Sequence, residues 1–274
     1  MKDIDETKAP LLDHLIELRR RLLWSVALLA ILFFASLYFA EPIFAFLVQP
    51  LLEAGQGRVI FTDIFEAFFV DVKVALFTAL MIGFPFFATQ MWKFVAPGLY
   101  AREKNALLPF LLMTPVFFLG GASFAYYVAM PWALHFLLGF QGEVGGVQKD
   151  ALPGIGNYLS FCTRFIFGFG IAFLLPILLM IIERAGLVTR EQLVKGRRYA
   201  IVAAFAVSAV LTPPDAVSQL MLAVPLYALY EFAILAIRLT HWRAAKRAQA
   251  SETGKSEGPE APPGGGRVGG SGPI

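Results

Sequence analysis

Residues 22–40 read LLWSVALLAILFFASLYFA, a run of mostly apolar residues without a charge. A helix needs about 20 such residues to cross the hydrocarbon core of a bilayer. Arg19, Arg20 and Arg21 come directly before this run, an order that also occurs in secretory signals. The run is longer than the roughly 7–15 apolar residues of a signal, and no clear small-x-small cleavage site follows it. The sequence therefore predicts a retained transmembrane helix.

Five more apolar segments follow the first one. They lie at about Val72–Trp92, Leu107–Leu138, Tyr158–Ile182, Tyr199–Leu211 and Ala216–Leu239. Pro176 is expected to break the fourth segment of the chain, Tyr158–Ile182. At 1.5 Å per residue the third segment of the chain is longer than the bilayer core, so we expect it to tilt, to kink at its prolines or to protrude. The fifth segment reaches only about 20 Å. Its hairpin with the sixth should thin the bilayer locally or hide its tip against other helices.

The composition agrees with a membrane protein. Hydrophobic residues make up 58% of the 274 and charged residues 16%, and the mean hydropathy is +0.67. Soluble domains have about 45–50% apolar and about 25% charged residues. We predict an all-α polytopic protein with an N-terminal arm (1–21), a six-helix membrane domain (22–240) and a Gly- and Pro-rich disordered tail (241–274). The single cysteine, Cys162, excludes an intrachain disulfide.

The basic residues predict the orientation of the chain. Cytoplasmic loops carry an excess of Lys and Arg, and 19 of the 23 basic residues lie at the two ends or in the second-to-third and fourth-to-fifth connections. Both termini are therefore expected on the cytoplasmic side of the membrane. Loops 41–71 and 139–157 would face outward. Arg164, near the outer end of the fourth segment, is expected to snorkel outward.

Catalytic signatures are not apparent in the sequence. His14, His135 and His241 lie far apart, and His14 with Glu17 supplies only two of the ligands of a zinc site. We expect the histidines to be interfacial or packing residues, and we expect neither a cofactor nor a metal. We expect no nucleic-acid partner, because the basic residues form short patches that flank apolar runs. A secondary transporter is a weaker hypothesis, because the polar residues gather at the membrane boundaries and no internal repeat is evident.

Two carboxylates at the predicted cytoplasmic boundary can carry recognition chemistry. Glu17 precedes the first segment and Glu103 precedes the third. Each carboxylate can accept a guanidinium through two parallel hydrogen bonds. The alternative for Glu17 is an i,i+4 pair with Arg21. The alternative for Glu103 is charge balance between Arg102 and Lys104.

Other polar residues lie at the ends of apolar segments. Asp215 follows two prolines, a good helix N-cap position, and Gln219 lies one turn later. Gln90 can bond a neighbouring helix. Glu231 can snorkel or pair with Arg238, because ionisable groups inside a membrane are costly and usually face protein or water.

Several of these stretches resemble the TatC family of twin-arginine protein translocase subunits. The matching stretches are HLIELRRRL (14–22), QMWKFVAPGLY (90–100) with Glu103, FAY (124–126), NYLSF (157–161) and LTPPDAVSQ (211–219). They span about residues 12–240. The resemblance implies six tilted helices curved into a concave, cupped wall that is open sideways to lipid, with short fifth and sixth helices.

The resemblance also implies a function. TatC-like proteins recognise twin-arginine signal peptides of folded precursors together with TatB, recruit TatA, and use the proton-motive force. Residues at family signal-recognition positions are Glu17, Arg19 and Glu103, with Phe94 nearby; residues expected in partner assembly or structure are Pro50, Gln90, Asp215, Gln219 and Glu231. One stretch departs from the family pattern: Leu174, in FLLP (173–176), stands where many members have a glutamate.

Overall fold

The computed structural model describes residues 3–99, 108–145, 147–149, 151–212 and 216–256. These residues form α-helices, one π-helical turn and one short β-hairpin. The helices are α1 (Asp3–Tyr38), α2 (Ala40–Glu53), α3 (Glu66–Leu99), α4 (Leu108–Phe124), α5 (Met130–Leu138), α6 (Ile155–Ala172), α7 (Leu175–Arg184), α8 (Arg190–Lys195), α9 (Arg197–Leu211) and α10 (Ala216–Ser256). The π-helical turn is Ala125–Ala129, and the hairpin pairs β1 (Gly142–Val144) with β2 (Val147–Lys149) in antiparallel register.

Five helical segments in the described part of the chain are long and apolar enough to cross a membrane. They are His14–Tyr38, Glu66–Phe94, Phe110–Leu138, Ile155–Arg184 and Gln219–Trp242. Each overlaps one of the six predicted segments. The remaining prediction, Tyr199–Leu211, corresponds to α9, whose 15 residues extend only about 22 Å. The chain is therefore a helical membrane protein whose fifth predicted segment is too short to cross a bilayer of ordinary thickness without local thinning.

Two of the proline-containing segments accommodate their prolines in different ways. Between α4 and α5 the helix does not break: the chain passes through the π turn, and Pro131 then lies in the first turn of α5, where its missing N–H is tolerated. Between α6 and α7 the helix is interrupted at Phe173 and Leu174, just before Pro176. The predicted break at Pro176 is confirmed.

The structure adds secondary structure within the two predicted outer loops and corrects the predicted start of the tail. Helix α2 lies in the first predicted outer loop, and the β-hairpin lies in the second. These two loops also pair, because the N–H of Ile60 donates to the oxygen of Pro153 (3.2 Å) and the N–H of Ile155 donates to the oxygen of Ile60 (3.0 Å). Helix α10 continues to Ser256 and so includes residues 241–256, for which the sequence predicted disorder. The rest of that predicted tail lies outside the described residues.

Close helix packing in the core depends on two glycines. A Cβ added at Gly121 of α4 would lie 2.6 Å from the backbone oxygen of Phe169 of α6, and one at Gly170 would lie 2.7 Å from the ring of Phe118. The Phe118 ring is fully buried and stacks on Phe84 of α3 at 3.5 Å between ring centroids. Small residues thus let α4 and α6 approach closely, as is usual between membrane helices.

Candidate functional site

The first candidate region forms where α1 packs along the C-terminal half of α3. The imidazole of His14 stacks on the ring of Phe94, with 4.2 Å between centroids and 12° between planes. His14 lies one helical turn before Glu17. The structure therefore brings two predicted site residues, Glu17 and Phe94, to the same end of the helical assembly through the histidine between them.

Glu17 carries a partly exposed carboxylate with a guanidinium already bound to it. Its Oε1 accepts from Nη2 of Arg21 at 2.5 Å, and its Oε2 lies 3.8 Å from Nδ1 of His14. The glutamate side chain keeps 41% of its surface exposed. Arg21 also donates from Nη1 to the backbone oxygen of Gln90 at 3.4 Å. The i,i+4 pair considered as an alternative for Glu17 is therefore present.

This arrangement can exchange one guanidinium for another. Ion pairs at i,i+4 on a solvated helix contribute only about 0.3–0.5 kcal/mol. The side chain of Glu17 is 41% exposed and that of Arg21 is 19% exposed, so another guanidinium can approach the carboxylate and displace Arg21. A guanidinium from another molecule would meet the same carboxylate, with the stacked rings of His14 and Phe94 beside it. Arginine side chains bind carboxylates through two hydrogen bonds and also stack on flat rings.

Arg19 does not share this surface, and the second predicted carboxylate cannot be placed. Residues two apart on a helix point in different directions, so Arg19 does not face the same side as Glu17. Its side chain is exposed and makes no ion pair or hydrogen bond within the described residues. Glu103, together with Arg102 and Lys104, lies in 100–107, outside the residues that the structure describes.

A rigid contact supports the part of α3 that presents Phe94. Nε1 of Trp92 donates to Oγ1 of Thr114 at 3.0 Å, and this buried hydroxyl donates to the oxygen of Phe110 at 2.7 Å. The guanidinium of Arg184 lies 5.1 Å from the centroid of the Phe110 ring. Helices α3, α4 and α7 are therefore joined next to the candidate site.

Comparison with known families decides what kind of protein this geometry belongs to. The family described as "Sec-independent protein translocase protein (TatC)" matches residues 13–225, which is most of the chain. The chain belongs to the TatC family. Its members are translocase subunits, so the chain is a transport protein and not an enzyme.

Several TatC relatives match over most of their own length. The Sec-independent protein translocase protein TatC of Magnetococcus marinus is 45% identical over 249 residues, covering 90% of both chains. The TatC protein of Desulforapulum autotrophicum is 40% identical over 86% of both chains. That of Escherichia coli K12 is 36% identical over 84% of this chain and 88% of the relative. The chain is thus a multi-pass membrane protein of the bacterial TatC type.

Solved structures of TatC share the fold. A crystal structure of the twin arginine translocase receptor TatC superposes with a TM-score of 0.72 at 37% identity, covering 82% of this chain and 98% of that one. A second crystal structure of the receptor, in DDM, gives a TM-score of 0.73 at 38% identity. The chain therefore has the TatC fold and is a component of the twin-arginine translocase.

Pro50 has a structural explanation in this TatC chain. Proline has no N–H, so within α2 it cannot donate to the carbonyl of Phe46, four residues earlier. The hydroxyl of Tyr126, from the π turn, donates to that carbonyl instead, at 2.6 Å, and the two rings stack at 4.4 Å. The hydroxyl of Tyr158 donates to the next carbonyl, that of Leu47, at 2.8 Å. Helix α2 is thereby fastened to the helical core.

Glu231 joins α9 to α10 through a partner that the sequence did not suggest. Its two carboxylate oxygens bind Nε and Nη2 of Arg197 at 2.7 and 2.8 Å, and the hydroxyl of Tyr227 donates to it at 2.8 Å. The predicted alternative pair with Arg238 is wrong. The true partner comes from another helix, and the prediction considered only the same one.

The other predicted residues take simpler positions. The side-chain nitrogen of Gln219 donates to the backbone oxygen of Phe205 at 3.2 Å and so links α10 to α9. The carbonyl of Gln90 accepts from Arg21, as described above. Asp215 lies outside the described residues. Leu174 is half-buried in the turn between α6 and α7 and belongs to none of the hydrophobic clusters.

Sequence reasoning underestimated the histidines. His14 does pack, as expected, but it packs on a predicted site residue; the spacing of His14 and Glu17 by three residues was the available signal. His241 pairs through Nε2 with Oε1 of Glu183 at 2.7 Å, joining α10 to α7. Within the described ranges the structure places no group of three His, Cys, Asp or Glu side chains that could hold a metal ion.

Proposed function

We propose that this TatC chain is the signal-peptide receptor of a twin-arginine translocase in the bacterial inner membrane. It would bind the twin-arginine signals of folded precursors, assemble with TatB, and recruit TatA for transport on the proton-motive force. The observation that carries the proposal is the carboxylate of Glu17, which holds a guanidinium beside the stacked rings of His14 and Phe94 while remaining 41% exposed.

The proposed recognition step is an exchange of arginines. One signal-peptide arginine displaces Arg21 from Glu17 and stacks against the His14–Phe94 pair. Glu103 accepts the second arginine. Both carboxylates are needed because the surrounding face is basic, with Arg19, Arg20 and Arg21 on α1 and Arg102 and Lys104 next to Glu103. A dicationic peptide would otherwise be repelled.

The remaining site residues are proposed to have positioning and assembly roles. Arg19 faces away from Glu17 and would fix the depth of α1 relative to the membrane surface. The backbone carbonyl of Gln90 would hold the guanidinium of Arg21 in place. The other residues proposed for assembly or structure are Pro50, Asp215, Gln219 and Glu231. Their support is that Pro50 and Glu231 organise contacts between helices in this chain.

The proposed arrangement in the membrane has six crossings. Helix α9 serves as the short fifth crossing, so both termini lie in the cytoplasm and the helices form a concave wall open to lipid. This proposal is supported by the 19 of 23 basic residues assigned to one side. It is also supported by the close contact between α9 and α10 through Arg197 and Glu231. We further propose that the chain forms an oligomer with TatB.

The binding of a twin-arginine signal peptide to the purified chain in detergent tests the recognition step. Glu17→Gln and Glu103→Gln preserve side-chain shape while removing the charge. Hydrogen bonds to charged groups contribute about 1.5–3 kcal/mol, so at this partly exposed site each substitution should weaken binding on the order of tenfold. The double variant should bind almost no peptide.

Two controls make the result specific. Glu41→Gln removes an exposed carboxylate from α2, at the opposite end of the helices, and should leave binding unchanged. A peptide with lysines in place of both arginines should bind poorly to the unaltered chain, because an ammonium group cannot form the planar pair of bonds. Unchanged peptide binding by the double variant would defeat the proposal and leave Glu17 with its structural role beside Arg21.

A further inference from the structure

Two basic side chains lie together on an exposed surface far from the Glu17 region. Lys73 of α3 and Arg164 of α6 both have exposed side chains. Nζ of Lys73 donates to Oγ of Ser160 at 3.3 Å. Arg164 lies four residues after Ser160, on the same face of α6. The two charges therefore border one surface where α3 packs against α6.

No carboxylate of the described chain neutralises these two charges. The ion pairs among the described residues join His14 and Arg21 to Glu17, Arg197 to Glu231, and His241 to Glu183. The nearest carboxylates on α3 are not available. Glu66 accepts hydrogen bonds from Thr62, Asp63 and Gly156. Asp71 lies two residues from Lys73, a spacing that places it on a different side of the helix.

Both charges sit a short distance inside the membrane-spanning segments. Helices α3 and α6 start at the same level, because the N–H of Gly156 donates to Oε1 of Glu66 at 2.7 Å. Lys73 follows Glu66 by seven residues and Arg164 follows Ile155 by nine, which correspond to depths of about 10 and 13 Å. Segments of 29 and 30 residues exceed a core of about 30 Å by roughly 7 Å at each end. The two Cα atoms thus lie only about 3–6 Å below the hydrocarbon boundary.

The direction of the side chains brings the charges back to that boundary. In a helix each Cα–Cβ bond tilts toward the N-terminus. Here the N-termini of α3 and α6 are at the near surface, so the stems of Lys73 and Arg164 lean toward it. Long basic side chains readily extend from such a depth to the headgroup level. The ammonium and guanidinium groups can therefore reach lipid phosphates.

The surface below the charges suits acyl chains. Along α6 the exposed residues recur every seven positions, at Asn157, Arg164 and Ile171. Ile171 is 50% exposed, and Leu76, one turn after Lys73 on α3, is 43% exposed. The face therefore has a polar end, two cations at its top and an apolar strip beneath them, which is the order of chemistry along a phospholipid.

We propose that Lys73 and Arg164 form a binding site for an anionic phospholipid in the leaflet next to the N-termini of α3 and α6. The guanidinium of Arg164 binds the phosphate through two hydrogen bonds, and the ammonium of Lys73 adds a second charge. The acyl chains lie along Leu76 and Ile171, which are within the depth of one leaflet. This site is separate from the surface proposed for the signal peptide, and each can be tested without the other.

Native mass spectrometry of the full chain in a mild detergent, titrated with phosphatidylglycerol or phosphatidylcholine, tests the proposal. The unaltered chain should retain phosphatidylglycerol preferentially. Lys73→Gln combined with Arg164→Gln should weaken that binding by about tenfold, since each basic residue near a membrane surface attracts anionic lipid. Arg58→Gln, in the exposed loop at the same end, is the matched control and should bind as the unaltered chain does.

Two further measurements keep the test decisive if the glutamine variant folds poorly. The swap of Lys73→Arg with Arg164→Lys keeps both charges and should retain the lipid. Binding to the unaltered chain should also fall as salt is raised, because the headgroup is bound near water. Equal retention of both lipids, or tight phosphatidylglycerol binding by the glutamine variant, would overturn the proposal. Loss of a co-purifying subunit by that variant, with lipid binding intact, would instead assign the two cations to a carboxylate of that subunit.

Discussion

Glu17 and Glu66 are both accessible glutamates near the end of a membrane helix, yet their surroundings differ. Glu66, at the start of α3, accepts from the backbone N–H of Thr62, Asp63 and Gly156 and from the hydroxyl of Thr62. Glu17 has the guanidinium of Arg21 and a more distant imidazole. The first carboxylate is fully used by its own chain, whereas the second holds one replaceable partner.

The difference separates a structural carboxylate from a recognition carboxylate. Around Glu66 there is little space, because a Cβ at Gly156 would lie 2.7 Å from Oε1. The bonds to Glu66 also tie the loop before α3 to the first turn of α6, far away in sequence. Around Glu17 the side chain stays open to approach. Charge and residue type alone would not distinguish the two glutamates. The number and kind of their hydrogen-bond donors do distinguish them.

The largest difference is expected in the labelling of single cysteines placed on the two sides of the membrane, one near Glu66 and one on the side proposed for Glu17. In a Cys162→Ala background, Gly57→Cys should react with a membrane-impermeant maleimide added to intact cells, and Glu191→Cys should not react. Gly57 has open space for a side chain and belongs to the loop next to Glu66, while Glu191 is exposed on α8. Labelling at position 191 with protection at 57 would reverse the proposed orientation.

The next effect is on stability. Glu66→Ala removes the acceptor of several hydrogen bonds between the loop, α3 and α6, so the melting temperature of the purified chain should fall by several degrees. Glu41→Ala removes another exposed glutamate at the same end and should leave the melting temperature nearly unchanged. Equal melting curves for these two variants would show that Glu66 is not the structural carboxylate described here.

A smaller effect should appear in signal-peptide binding when Arg21 is removed. Arg21→Gln frees the carboxylate of Glu17 from its resident partner, and an i,i+4 pair contributes only about 0.3–0.5 kcal/mol. Peptide affinity should therefore rise by about twofold. Arg20→Gln is the control, since it removes an equal charge from an exposed neighbour. Weaker binding by the Arg21 variant than by this control would mean that Arg21 takes part in binding.

The smallest effect is expected on export when Leu174 is replaced, because Leu174 contacts neither of the two compared glutamates in the described bonds. Because Leu174 is half-buried and outside the hydrophobic clusters, Leu174→Ala should leave the export of a twin-arginine precursor nearly intact. Glu231→Ala should reduce export more, because Arg197 and Tyr227 lose their shared partner. A severe export defect in the Leu174 variant alone would show that a partner subunit still contacts this position.

The membrane segments could be predicted from the sequence because lipid exposure demands long apolar runs. The shortness of α9 and the break before Pro176 followed from length and from the missing N–H of proline. Helix α2 could not be predicted in the same way. It is apolar but has only 14 residues, and its position depends on tyrosines 80 and 111 residues away from the carbonyls they bind.

The candidate site was less predictable than the fold. Glu17 is a candidate from its position at the predicted boundary, whereas Phe94 is named only because of the family resemblance. The residue pattern alone contains nothing that places His14 against Phe94. Glu231 shows the same limitation. A search along its own helix suggested Arg238, whereas the bond actually formed requires the hairpin to place Arg197 opposite it. Contacts between segments depend on packing, which local spacing does not reveal.

The bond between Tyr126 and α2 makes two distant positions depend on each other energetically. The hydroxyl of Tyr126 supplies the carbonyl of Phe46 with the donor that Pro50 lacks. With an ordinary residue at position 50, a backbone N–H could take over that role. The combined cost of Tyr126→Phe and Pro50→Ala should then be smaller than the sum of the two separate costs. A double-mutant cycle on thermal unfolding would measure this coupling, and any sequence change at one position alters what the chain can accept at the other.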